Sequence, residues 1–157
     1  MIIKEARPED CQTIGNFIKH IAKYEKLSHE VIWDDDTLYK ELFIDNRAKV
    51  LLGELDNKII GFALYFYNFS TFVGRKGLYL EDFYILQEHR NKGYGKLFFK
   101  ELLKIAKDNN CGRMEWVCLN WNKPSIEFYN KLGAKPMNDW TTYRLEENSF
   151  ADLIESM

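Results

Sequence analysis

The sequence predicts an α/β fold, a mixed sheet with helices on its faces, and three observations carry that reading. Residues 79–86, YLEDFYIL, form an aromatic, strand-like run. Across a glycine turn they lead into LFFKELLKIA, where Leu97, Phe98, Leu102, Ile105 and Ala106 recur in helical rhythm. Residues 50–55 and 59–69 flank Asp56-Asn57-Lys58, the pattern of a β-hairpin with a polar turn. Further strand and helix patterns complete the order β-α-α-β-β-β-α-β-α-β, which calls for helices packed on a sheet.

Each element has its own grounds. Residues 1–6 are a short apolar-led strand. Pro8-Glu9-Asp10 opens a helix, since proline suits the first turn and acids complement the dipole there. Ile14, Phe17, Ile18, Ile21 and Ala22 then mark its core face, and it ends near Tyr24-Glu25-Lys26. Asp34-Asp35-Asp36 begins a second helix with Leu38, Leu42 and Phe43 inward. A helix start explains these acids better than a metal site does, so no metal is expected. Residues 68–77 read as a loop. Asn109-Asn110-Cys111-Gly112 stops the long helix, and residues 114–119 are the next strand. Asn122 is an N-cap for a helix carrying Ile126, Phe128, Tyr129 and Leu132, with Gly133 as its C′ residue. Residues 140–145 read as a final strand, and the tail beyond is peripheral.

The chain has 157 residues, 46% hydrophobic and 15% aromatic, which suits a single domain over 1–157 with a real core. Its 22 basic and 24 acidic residues are well mixed, at a net charge of −2, which argues against a broad nucleic-acid-binding face. No apolar run has membrane-spanning length. The three cysteines, Cys11, Cys111 and Cys118, lack metal or redox spacing. They read as reduced thiols in a cytoplasmic protein.

Chemistry concentrates in Gln87-Glu88-His89-Arg90-Asn91-Lys92-Gly93-Tyr94-Gly95-Lys96. This strand-to-helix turn has glycines for tight backbone approach, helix-start amides and basic side chains, which together suit a pyrophosphate. Two common cradles fail on residues. The glycines are two apart and no Ser or Thr follows Lys96, which excludes GxxxxGK[ST]. The third glycine of GxGxxG is missing as well.

RxxGxG over Arg90–Gly95, after an apolar strand and before a helix, resembles the acetyl-CoA loop of the GNAT N-acetyltransferase superfamily. With LYLEDFYILQEHRNKGYGKLFFKELLKIA, LNWNKPSIEFYNKLGAKP, AKYEKL and FSTFVGRKG, the chain resembles the spermidine/spermine (diamine) and thialysine N-acetyltransferase branch along nearly its whole length. The resemblance implies a mostly antiparallel mixed sheet with splayed central strands, and direct acetyl transfer from acetyl-CoA to a primary amine of a small cationic molecule. It implies that Arg90, Asn91, Lys92, Gly93, Tyr94, Gly95 and Lys96 hold the pyrophosphate, and that Phe83, Tyr84 and Ile85 bind the pantetheine and acetyl groups. Asn122 and Ser125 match positions near the cofactor.

The same resemblance makes Tyr129 the acid that protonates the departing thiolate, beside the cofactor. It makes Glu81 the base or amine contact. Asp82 counts with the substrate-binding carboxylates, although a regular strand turns it to the opposite face from Glu81. Tyr24 and Glu25 match the substrate entrance, where a carboxylate attracts a second cationic group. Ser70-Thr71-Phe72 departs from the acidic stretch of polyamine-specific members, and Phe72 with Trp121 would offer an apolar wall instead. Family members are usually dimers, so a homodimer is expected. Cys118 has no paired histidine, so an acyl-enzyme is not expected. Two other readings stay open: acetylation of a protein amine, and an acetyl-CoA sensor without turnover.

Overall fold

The computed structural model describes all 157 residues. Five strands form one sheet in the order β1-β2-β3-β4-β5. They are β1 (Ile2–Glu5), β2 (Lys49–Leu55), β3 (Lys58–Ser70), β4 (Arg75–Ile85) and β5 (Met114–Glu115). The first four are antiparallel neighbours and β5 runs parallel to β4. The β2–β3 turn forms because Asp56 and Asn57 both accept positive φ, at 50° and 61°, which a two-residue hairpin demands. The β3–β4 turn is held by Gly74, at φ +69°, whose amide donates to Ser70 O at 2.8 Å.

That second turn corrects one expectation. Residues 68–77 are not a loop: the ladder continues to Ser70–Arg75, and only residues 71–74 turn. Polar Asn68, Ser70 and Lys76 read as loop, but strand pairing needs only a backbone neighbour. Asn68 also fits because its partner Gly77 has no Cβ to collide with the Asn68 Oδ1.

The helices are α1 (Cys11–Tyr24), α2 (Asp35–Tyr39), α3 (Tyr94–Asp108), α4 (Lys123–Lys131) and α5 (Phe150–Ser156). Pro8–Asp10 is a 3₁₀ turn that leads into α1, with the Arg7 amide donating to Asp10 Oδ2 at 2.9 Å. Asp34 caps α2 by accepting from the Thr37 amide at 2.7 Å, which gives the aspartate run its structural role. The helix then loosens into a π turn, Lys40–Ile44. No helix is long and apolar enough to cross a membrane.

The chain divides into two compact units, Met1–Leu119 and Asn120–Met157. In the first unit, Ile14, Phe17 and Leu42 pack on Val50, Leu52, Phe62 and Leu64. Phe98, fully buried, occupies the space left by Gly53 and Gly61: a Cβ on Gly53 would meet its Cζ at 2.7 Å. Along α3, Phe98, Phe99 and Leu102 are buried, whereas Leu97, expected inward, is 42% exposed. Leu97 and Phe98 are 100° apart on a helix, and Phe99 takes the inward place.

In the second unit, Asn122 caps α4 by accepting from the Ser125 amide at 3.4 Å, and Gly133 ends it at φ +86°. The final strand over 140–145 does not form. Its alternating pattern lacks a ladder partner, and Trp140, Tyr143 and Leu145 stay exposed. The strand over 114–119 shrinks to Met114–Glu115, because pairing with β4 stops at Tyr79–Glu115. Helix α5 was not anticipated; it follows a 3₁₀ turn, Glu147–Ser149.

Candidate active site

Beyond the last β4–β5 pair, Tyr79–Glu115, β4 runs on to Ile85 while the chain after Glu115 leaves the ladder. Strand β4 and the edge strand β5 therefore diverge; the splay expected between central strands lies at the edge of this sheet. At the end of β4 a 3₁₀ turn, Gln87–His89, leads to the glycine loop. Asn91 and Gly93 take left-handed φ of 60° and 84°, and α3 begins at Tyr94. Left-handed residues at this spacing, just ahead of a helix start, turn successive amides toward one concavity suited to an anion. A Cβ on Gly93 would touch nothing within 4 Å, so the residue is needed for its φ and the space beside it is open. Lys92 and Lys96 are exposed beside it. The loop thus fits a phosphate-bearing cofactor.

The Arg90 side chain folds back toward β4 and α1. Its Nε donates to Ile85 O at 2.8 Å, and its guanidinium carbon lies 4.8 Å from the Tyr24 ring centre and 4.9 Å from that of Tyr84. Tyr84 also stacks on His20, with ring centres 6.2 Å apart and planes within 9°. The C-terminal end of α1 is thereby joined to β4 through aromatic rings.

A β-bulge shapes the acidic centre. Leu64 pairs with Asp82 while the next residue, Tyr65, pairs with Leu80, so Glu81 is the extra residue. Asp82 shares the face of Leu64 and, with Phe62–Tyr84 the next pair but one, that of Tyr84, which packs on Phe17 of α1. The strand is not regular here, so alternation no longer sets Glu81 and Asp82 on opposite faces. Burial raises the pKa values of both Tyr79 and Asp82, and Glu81 lies close enough to each to add to the rise. Asp82 is driven to about 7, chiefly by burial, with Glu81 and Glu25 adding to it. Burial also raises Glu25, and with Glu25 it holds the Cys118 thiol protonated. Cys118 is therefore a poor nucleophile.

Glu25, Glu81 and Asp82 form one group, with Tyr24, Tyr84 and Arg90 adjoining through α1 and β4. Phe83 faces the other side, edge-on to Phe98 and Phe99 at 5.5 and 5.4 Å, and Ile85 is buried there. Phe72 is not brought to this group. It sits 90% exposed at the β3–β4 tip, and the seven residues from Arg75 to Glu81 span roughly 20 Å of strand. In the second unit, half-buried Tyr129 packs against Phe128 with ring centres 5.6 Å apart, Asn122 is buried, and Trp121 is half exposed. Sequence reasoning missed His20 and the inward turn of Arg90. The bulge had a signal, an Glu-Asp pair inside an otherwise apolar strand.

Comparison with known proteins matches residues 18–134 to the acetyltransferase (GNAT) family. Thialysine N-epsilon-acetyltransferase of Sus scrofa is 32% identical over 98% of this chain and 96% of its own length. That of Mus musculus is 30% identical over 96% and 95%. The spermidine/spermine N(1)-acetyltransferase-like protein 1 of Homo sapiens is 29% identical over 96% of this chain, which spans 23% of that protein. Among solved structures, an integron cassette protein from the mobile metagenome of V. cholerae superposes with a TM-score of 0.79 at 26% identity, covering 98% of this chain and 97% of that one. The chain therefore belongs to the GNAT family and is an N-acetyltransferase.

Proposed function

We propose that this enzyme moves the acetyl group of acetyl-CoA to a primary amine of a small cationic molecule of the thialysine or diamine kind. The observation that carries this reading is the bulge at Glu81, next to a buried Asp82 that feels the charges of both Glu81 and Glu25; three such carboxylates suit an ammonium ion. Similarity to thialysine N-epsilon-acetyltransferases over nearly the whole chain supports it.

Acetyl-CoA, when bound, supplies an activated thioester. Amides of residues 90–96 hold its pyrophosphate, Lys92 and Lys96 add charge, and the main chain at Phe83, Tyr84 and Ile85 receives the pantetheine and acetyl groups. On the second unit, the family resemblance makes Asn122 and Ser125 the candidates for cofactor contacts. Tyr24, Glu25 and Asp82 draw in the amine; on the second unit, Trp121 is the candidate for an apolar substrate contact. Glu81 accepts a proton from the ammonium Nζ or its equivalent, freeing the lone pair for attack. Tyr129 Oη donates a proton to the leaving sulfur. Each such proton transfer is worth about 10²–10⁴-fold in rate. The thioester carbon passes directly to the amine, since Cys118 stays a thiol.

We also infer a homodimer in the cytoplasm. Exposed Met137, Trp140, Tyr143 and Leu145 on the second unit suit a second copy as occupant, and three free thiols suit a reducing compartment. Light scattering on a sizing column checks the first: a monomer at micromolar concentration overturns it.

The test of activity is thiol release from acetyl-CoA with thialysine, lysine, diamines, spermidine and aminoglycosides. Turnover with thialysine or a diamine is expected. Silence across the panel with acetyl-CoA still bound would overturn the small-amine reading in favour of a protein amine or a sensor.

A further inference from the structure

The Arg90 guanidinium occupies an unexpected place. It opens the phosphate-binding loop in sequence, one residue before left-handed Asn91, yet its side chain leaves the loop for α1 and β4. Its Nε is fixed to Ile85 O, the last residue of β4, and its cationic plane serves Tyr24 and Tyr84 at 4.8 and 4.9 Å. Both distances lie well inside the range of a cation–π contact. A planar, delocalised cation with a fork of donors makes such a two-ring contact and a carbonyl bond at once, which an ammonium does poorly.

Tyr24 is the last residue of α1, and Glu25 follows it directly as the cap. The chain then reverses through Lys26 at φ 63°. The reversal is closed by the Lys26 and Leu27 amides, which donate to Lys23 O and Ala22 O at 3.2 and 2.8 Å, and Tyr24 meets Tyr84 edge-on with ring centres 6.2 Å apart; Arg90 adds a tie from the loop to both rings. His20, stacked flat on Tyr84, steadies the ring that Arg90 shares.

We propose that the Arg90 side chain is a positioning residue for the amine. It ties the end of α1, with Tyr24 and Glu25, to the loop that receives the cofactor phosphates, so that acetyl-CoA bound on the loop orders the amine-receiving wall. Two bound ligands joined through one side chain strengthen each other by the same factor. This rests on the function proposed above for the loop and for Glu25.

The test compares wild type, Arg90→Met and Arg90→Lys. Methionine keeps much of the apolar stem and removes the charge and the Nε donor; lysine restores the charge alone. With thialysine as acceptor, Arg90→Met is expected to raise the amine KM about tenfold while kcat stays within about threefold. The acetyl-CoA dissociation constant, by calorimetry without amine, should also stay within about threefold, and Arg90→Lys should recover part of the amine KM. Loss of acetyl-CoA affinity as large as the rise in amine KM would make Arg90 a phosphate contact and overturn the proposal.

Hydrogen exchange gives an answer that needs no turnover. Acetyl-CoA should protect residues 20–26 in wild type, and that protection should vanish in Arg90→Met while protection of residues 91–96 remains. Equal protection of residues 20–26 in both proteins, or none in wild type, overturns the proposal. A wild-type enzyme silent with every amine but showing this exchange pattern would sink the proposed substrate class and leave the coupling standing. If Arg90→Met fails to fold, Arg90→Lys is set against wild type: it lacks the Nε donor and the planar fork, so protection of residues 20–26 should fall in part, and full protection overturns the proposal.

Discussion

Asp82 stands opposite Leu64 in the β3–β4 ladder, a carboxyl set against a side chain that is 8% exposed. Burial first, then the charges of Glu81 and Glu25, raise its pKa from 3.8 to about 7. A raised folded-state value means that the native protein binds the proton more tightly than the unfolded chain does. The stability from this group is fully present below about pH 3.8 and is lost as the pH rises through about 7. The loss should be on the order of 2 kcal/mol, and Asp82→Asn should remove it. Thermal melts at pH 5 and pH 8 check this: the variant should gain on wild type only at the higher pH. In turnover, ionised Asp82 attracts the ammonium, so kcat/KM for the amine should rise through pH 7 in wild type and lose that limb in Asp82→Asn.

Gly93→Ala isolates the phosphate loop. The new methyl meets empty space, so its effect comes from forcing alanine to φ +84°, a strain of about 1–2 kcal/mol. Relief of that strain would flatten the concavity. Calorimetry should show acetyl-CoA binding weakened at least about tenfold, with the amine site intact.

Gly53→Ala offers the opposite case. Here the methyl would meet Phe98 at 2.7 and 2.8 Å, and Phe98 is fully buried. Overpacking of that kind costs about 1–3 kcal/mol. The midpoint in urea should fall while acetyl-CoA affinity in the folded protein stays as in wild type.

Tyr129→Phe removes one oxygen from a residue packed on Phe128. Loss of an acid that protonates the leaving sulfur should lower kcat about 10²-fold or more, with acetyl-CoA bound as before. An unchanged kcat would return Tyr129 to a packing role.

Much of this enzyme could be read from its residues, and the failures share a cause. Signals that act within a few residues were legible: the Asp56-Asn57 turn, the Asp34 and Asn122 caps, and the Gly93 and Gly133 reversals all lie where expected. What depends on a neighbour in space was not. The pattern of residues 140–145 asks for a strand, but only a partner chain edge makes one. Glu81 and Asp82 were separated by alternation, and the alternation held only while each residue of β4 had one counterpart on β3. Arg90 belongs by sequence to the loop, whereas the rings that hold its side chain lie about sixty residues upstream and at the end of β4.

The sheet is laid out in the order in which the chain is made. Strands β2, β3 and β4 are joined by two tight turns, so their contacts close short loops at little entropic expense. This meander is the natural folding nucleus of the first unit, and β1 and β5 join it from either side, across α1 and α2 or across α3. Changes at the β2–β3 and β3–β4 turns should therefore slow folding, whereas changes in β5 should chiefly hasten unfolding. Glu81 and Asp82 lie on the strand that closes the meander. Two of the three carboxylates of the acidic wall thus stand on the nucleus itself, and Glu25 joins them only when the end of α1 packs against the sheet.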